Sequence, residues 1–209
     1  MINFIISAYG GFGAYGIGIN FTNNEELSDY ISSRGYAQIK NYNLSQVGFG
    51  YFVFKNFVVG GIGFNGFSNT YQNSNKFVKI KFSGGGFSFG YVIFSTNYFF
   101  IYPTILLGGY KYIMKLYEKT ADSLSGVIDD PKREVELSAG NFMFGPSINL
   151  TYFVYGGLNF SVNFGYNWTL NSEFSSESVK IANNKAFSFN NFYINISLGI
   201  GGFVKWFQF

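Results

Sequence analysis

The sequence predicts an all-β fold: a closed antiparallel up-and-down β-barrel of about eight strands that crosses a membrane. Three observations predict it. Apolar residues alternate with small or polar ones at a period of two over long stretches, as strands with two unlike faces do. No segment approaches the roughly 20 consecutive apolar residues of a helical span, because Gly, Asn or Ser interrupts each run. Charged residues make up only 12% of the chain and collect in a few segments. Hydrocarbon admits only helices and closed barrels, since every backbone polar group must be satisfied within the protein.

The cleanest strand is Leu158 to Leu170. Leu158, Phe160, Val162, Phe164, Tyr166, Trp168 and Leu170 share one face, and Asn159, Ser161, Asn163, Gly165, Asn167 and Thr169 share the other. In chain order the predicted strands are approximately 6–22, 42–55, 57–68, 77–94, 98–117, 135–153, 158–170 and 187–207. Tyr15, Ile17, Ile19 and Phe21 give the first its apolar face; Val47, Phe49, Tyr51 and Val53 give the second. Phe87, Phe89, Tyr91 and Ile93 do so for the fourth, Phe142, Phe144, Ile148 and Tyr152 for the sixth, and Ile194, Ile196, Leu198 and Ile200 for the last. The strands at 57–68 and 98–117 alternate less regularly. All are long enough for the 9–11 residues of a tilted membrane strand. The chain is expected to form a single domain over 1–209.

Short turns are expected at Lys55-Asn56, Ser95-Thr96-Asn97 and Val154 to Gly157, and long connections at 23–41, 69–76, 118–134 and 171–186. Short turns on one rim and long loops on the other are the asymmetry of outer-membrane barrels. An even strand count then leaves both termini on the short-turn side. The segments 23–41, 69–81, 111–136 and 171–186 contain all the charged residues except Lys55 and Lys205. A soluble sandwich would scatter charge along the solvent face of its strands.

Several function classes fall away. With no histidine, a Ser-His dyad or a His-bound metal cannot be built, and with no cysteine there is no thiol chemistry or disulfide. A net charge of +3 gives no footprint for nucleic acid, so no nucleic-acid partner is expected. Gly11 to Gly16 and Gly61 to Gly66 both match G-x-G-x-x-G, but each lies inside a strand with no helical pattern after it, as a dinucleotide site requires. No catalytic residue, cofactor or metal ligand is predicted.

The chain ends Gly201-Gly202-Phe203-Val204-Lys205-Trp206-Phe207-Gln208-Phe209. With its strand count and loop asymmetry, it resembles the small outer-membrane barrels of the OmpA, OmpX and OmpW type. The resemblance implies location in a bacterial outer membrane, the signal peptide not being present in this sequence. It also implies delivery by the outer-membrane insertion machinery, with Phe207 and Phe209 as the recognised aromatics. The chain departs from the family pattern in having Val204 and Lys205 where a glycine is usual. The apolar parity also switches after Ile200, and an extra residue at Gly201-Gly202, a bulge, would produce that switch.

Under this reading Ile17, Ile19, Phe49, Phe89, Phe144, Ile148, Phe160, Val162, Phe164, Ile196 and Leu198 face lipid. Tyr9, Tyr91, Tyr152, Tyr166 and Trp168 form interfacial girdles, with Tyr42, Tyr51 and Tyr155 suited to the same role. Outer-membrane lipids are then the first partner. Inward positions are mostly Gly, Ala, Ser, Asn and Thr, with larger exceptions at Phe12, Tyr102, Tyr110 and Met143. Such a lumen either keeps a narrow uncharged passage or collapses. Two functions follow: a structural or adhesion-like role through loops 23–41, 118–134 and 171–186, or a narrow channel or binder for small uncharged or hydrophobic molecules. A soluble lipocalin-like barrel is the third alternative.

Overall fold

The computed structural model describes residues 8–118, 134–154, 157–176 and 185–205. Eight strands form the wall: β1 (Ala8–Thr22), β2 (Tyr42–Phe54), β3 (Phe57–Gly66), β4 (Lys76–Tyr91), β5 (Phe99–Glu118), β6 (Glu134–Phe153), β7 (Leu158–Thr169) and β8 (Asn191–Lys205). Each pairs antiparallel with its sequence neighbours, and β8 closes the ring on β1 from Ala8↔Lys205 to Thr22↔Asn191. No described helix is long and apolar enough to cross a membrane.

Register fixes the dimensions. Stepping between partners from Gly10 through Val53, Val58, Gly90, Thr104, Ser147, Gly165 and Tyr193 returns to β1 at Asn20, ten residues further along. That stagger over eight strands tilts them by roughly 40–45° and leaves an interior just wide enough for side chains to fill.

The first hairpin turns on Lys55 and Asn56, with φ of 48° and 70°. Positive φ at both central residues is the type I′ geometry whose twist matches that of the flanking strands. The Asn56 side chain accepts a bond from the Ala8 N–H at 2.8 Å, tying the start of β1 to this turn. Ala8 also pairs with the end of β8, so the described ends of the chain lie on the short-turn side.

At the other end the wall rises into the loops. Asn69–Asn73 folds back on β4, and Ser172–Glu173 pairs with Ala186–Phe187. A helix, α1 (Glu25–Ser32), occupies part of the 23–41 connection, for which sequence reasoning gives only a loop. Its signals are present: Asn24 before two glutamates, then Leu27 and Ile31 four residues apart on one face.

Two expectations are corrected. On β2 the larger apolar residues point inward: Phe49 is 7% exposed, and Val47, Tyr51 and Val53 are buried, whereas Phe52 is 76% exposed. Phe49 therefore does not face lipid, and Tyr51 belongs to no girdle. The partners force this, because Phe49 lies opposite Ala14 and Tyr51 opposite Phe12, both on the inner face of β1. The second correction concerns Gly201-Gly202. The β1–β8 register runs through it without a bulge, with Phe12↔Gly201 and Gly11↔Gly202. Phe203 breaks the apolar parity because it turns inward, where its ring lies 3.7 Å from that of Phe100.

The remaining residues expected to face lipid, Ile17, Ile19, Phe89, Phe144, Ile148, Phe160, Val162, Phe164, Ile196 and Leu198, all stand on the outward parity of their strands. Tyr91, Tyr152 and Trp168 are exposed, and Tyr9 and Tyr166 half-buried. Phe207, Phe209, Tyr155 and nearly all of 118–134 lie outside the described residues.

Candidate functional site

Whether the barrel works through its lumen depends on what fills it, and the filling differs by level. At the short-turn end the lumen holds an aromatic plug. The Phe12 ring lies 5.5–6.5 Å from the rings of Phe49, Tyr51, Phe100, Tyr102 and Phe153. Such separations with tilted or edge-on faces are the favoured ring geometry. Val53, Val58 and Val92 close the remaining space.

The middle level is polar and uncharged. Asn149 donates to the Tyr102 carbonyl and to Thr104 Oγ1, each at 3.0 Å, and accepts from Asn163 Nδ2 at 2.6 Å. The hydroxyls of Thr151 and Ser161 meet at 2.8 Å, and those of Thr104 and Ser147 at 2.6 Å. Asn167 donates to Asn191, and Asn20 to Ser45. A cavity of about 10 Å³ lies among Asn20, Ile62, Phe64, Leu106, Asn167, Tyr193 and Asn195. That is room for roughly one water. The side-chain oxygen of Asn167 has no protein partner, so one water there would satisfy it.

The loop end is sealed by a second apolar cluster. Leu27 and Ile31 of α1 enter it with Ile39, Val78, Ile80, Phe82, Met114, Phe174 and Phe187. Tyr112 and Phe189 stack in it at 4.3 Å and 18°. The sequence expectation of a lumen of small neutral groups therefore holds only for the middle level. Phe12, Tyr102 and Met143 are inward as expected. The sequence does not reveal the plug residues Phe49, Tyr51 and Val53, the buried Val47, or the cap residues Leu27 and Ile31.

The outer wall carries an apolar depression where the ladder is interrupted. β6 and β7 pair at Phe144↔Trp168 and again at Ser147↔Gly165, with no pairing at Gly145 and Pro146 between them. Pro146 has no N–H to contribute. Pro103 stands nearby on β5, and both prolines line an outward apolar groove of about 760 Å³ with Phe57, Tyr91, Ile105 and Phe164.

Among the described residues, acidic side chains are confined to the loop-end rim. Among the described residues, no group of three or more His, Cys, Asp or Glu could hold a metal ion.

No protein-family model matches the sequence, and no curated protein matches it at a significant level. Solved structures do. Outer membrane protein OprG from Pseudomonas aeruginosa is 9% identical, with 93% of this chain and 96% of that one covered and a TM-score of 0.51. Ail, the attachment invasion locus protein of Yersinia pestis, is 11% identical, with 93% and 98% covered and a TM-score of 0.46. A major outer membrane protein from Thermus thermophilus is 9% identical, with 93% and 99% covered and a TM-score of 0.49. The closed ring, the alternation of short turns and long loops, and the likeness to OprG agree: the chain has the fold of the small eight-stranded outer-membrane β-barrels.

Proposed function

We propose that this barrel resides in a bacterial outer membrane and works at its surface, through the loops and α1 on its extracellular rim, as a structural or adhesion-like protein. The carrying observation is the sealed lumen: an aromatic plug at one end, an apolar cap at the other, and a one-water cavity between them. A channel needs a continuous wetted path, which these levels interrupt twice. The outward aliphatic and aromatic residues take the lipid contact, and Tyr9, Tyr91, Tyr152, Tyr166 and Trp168 its boundaries. Absence of histidine and cysteine supports a non-catalytic role. Phe207 and Phe209 serve the insertion machinery.

Planar-bilayer recording tests the reading. The refolded protein is expected to give no single-channel steps and no swelling of liposomes in small neutral solutes; steady conductance overturns it. A second reading, binding of small hydrophobic molecules, is favoured by the outward groove at Pro103 and Pro146. Its check is saturable retention of an apolar fluorophore that Ile105→Trp, which fills the groove, abolishes.

A further inference from the structure

Beyond the apolar band on the loop side, the outer face of β3–β5 contains a groove created by a change of register. β3 pairs with β4 up to Asn65↔Ser83, and the following segment resumes pairing at Asn69↔Ile80. Three residues, Gly66 to Ser68, thus stand against Lys81 and Phe82, which makes a bulge. The groove beside it measures about 400 Å³; its charged lining is Lys79, Lys81, Lys115 and one carboxylate, Glu136, with Gln46 and Asn65 beside them.

Its charge is unusual for a sheet surface. Lys79 lies directly opposite Lys115, an arrangement of like charges that destabilises a strand pair. Lys115 is compensated by Glu134 at 2.6 Å and Glu136 at 2.9 Å. Those bonds hold its ammonium above the ordinary lysine range. Lys79 and Lys81 have no ion pair among the described residues, nor does Lys111 beside them, and all three are exposed. Elsewhere around the ring the outward residues near the loop end are uncharged aromatics: Phe21 on β1, Trp168 on β7 and Phe192 on β8. Among the described wall-strand residues near the loop end, the lysines are therefore gathered on β4 and β5.

Position decides what kind of anion fits. The lysines point sideways from the wall, on the same face that carries Phe87 and Phe89 further down β4. From Lys81 to Phe87 is roughly 20 Å along the strand at the usual rise per residue. A ligand with a phosphate at the lysines and hydrocarbon below them matches this face; a free anion uses only its upper end.

We infer that this groove binds the phosphate-bearing headgroup of an anionic outer-leaflet lipid, with Lys79 and Lys81 as the phosphate ligands and Lys115, fixed by its two glutamates, as the flank that orients it. The inference rests on the proposed placement in a membrane, and does not depend on what the loops contact.

The test uses the full chain refolded into phosphatidylcholine nanodiscs with phosphatidic acid as a minor component. Lipid retained on the protein after transfer to zwitterionic detergent is counted by native mass spectrometry. The wild-type barrel is expected to retain phosphatidic acid over phosphatidylcholine. The double substitution Lys79→Gln/Lys81→Gln is expected to weaken that retention on the order of thirty-fold, the effect of two lysines near an anionic surface. Lys55→Gln/Lys205→Gln, which removes two charges at the opposite, short-turn end of the barrel, should leave it unchanged. Equal retention by both double variants overturns the site. Competition by inorganic phosphate as strong as that by phosphatidic acid assigns the groove to a free anion and overturns the lipid source. Heat-modifiable gel mobility confirms that each variant is folded. Failure to float with vesicles would defeat the membrane placement itself, whereas single-channel conductance would defeat only the loop-surface reading.

Discussion

Strands β6–β8 line the lumen mainly with asparagine, serine and threonine, with Met143, Phe153 and Tyr193 as the large exceptions, whereas β2, β4 and β5 line it mainly with Val47, Phe49, Tyr51, Val78, Ile80, Phe100, Tyr102 and Met114. The outer faces of both sectors meet the same surroundings, so the difference is internal. A polar interior is held by directed bonds, such as those of Asn149 to Tyr102, Thr104 and Asn163. An apolar interior is held by ring packing and has no direction of its own. Where the interior is polar, sequence alternation marks the outward face; where it is apolar, both faces read alike and only the neighbouring strand sets the orientation.

The largest expected effect is in the aromatic plug. Phe12→Ala should destabilise the barrel by about 3–5 kcal/mol in a denaturant titration, as removal of a buried ring does. Phe49→Ala should cost a comparable amount and Phe52→Ala clearly less. Equal losses at 49 and 52 would break the assignment of β2. Next in size is the lipid face of the polar sector: Val162→Arg should cost roughly 2–4 kcal/mol if it lies near the bilayer midplane. Asn149→Ala, which deprives Asn163 of its acceptor, should cost about 1–3 kcal/mol. A neutral result would mean that the polar sector is held by its backbone ladder alone.

Smaller still is Asn56→Gly, which keeps the positive φ of the turn but loses the bond to Ala8; about 1 kcal/mol is expected from the unfolding midpoint. The smallest effect is at the rim. Lys115 has a raised pKa in the folded barrel from its bonds to Glu134 and Glu136. Its contribution is therefore complete below the ordinary lysine range and lost as pH rises through the folded value. A midpoint difference between wild type and Lys115→Met should be flat through neutral pH, shrink in strong alkali and fade with added salt.

The legibility of the sequence follows the same division. In β7 each inward residue is polar or glycine and each outward one apolar, so strand, face and boundaries are readable from Leu158 to Thr169. In β2, Gly48 and Gly50 point to the lumen by composition, yet they face outward, where an added Cβ would find its nearest neighbour 3.6 Å away at Gly48 and nothing within 4 Å at Gly50. Inward glycines behave oppositely: at Gly60 a Cβ would lie 1.9 Å from the Gly50 carbonyl oxygen. Glycine thus occurs on both faces for different reasons, and parity alone does not separate them. The cap escapes sequence reasoning for another reason. Charge dominates the 23–41 connection and marks it as loop, while the spacing of Leu27 and Ile31, which buries α1 in the mouth, is a signal of only two residues.

The seam between β1 and β8 has a consequence for assembly. These are the first and last strands of the wall, and each is 15 residues long. Until they meet, two edges of unpaired amides and carbonyls would stand in hydrocarbon, each group costing several kcal/mol. The strands therefore cannot enter one after another as independent spans. In the proposed membrane setting, closing this seam is therefore coupled to insertion rather than a separate later step.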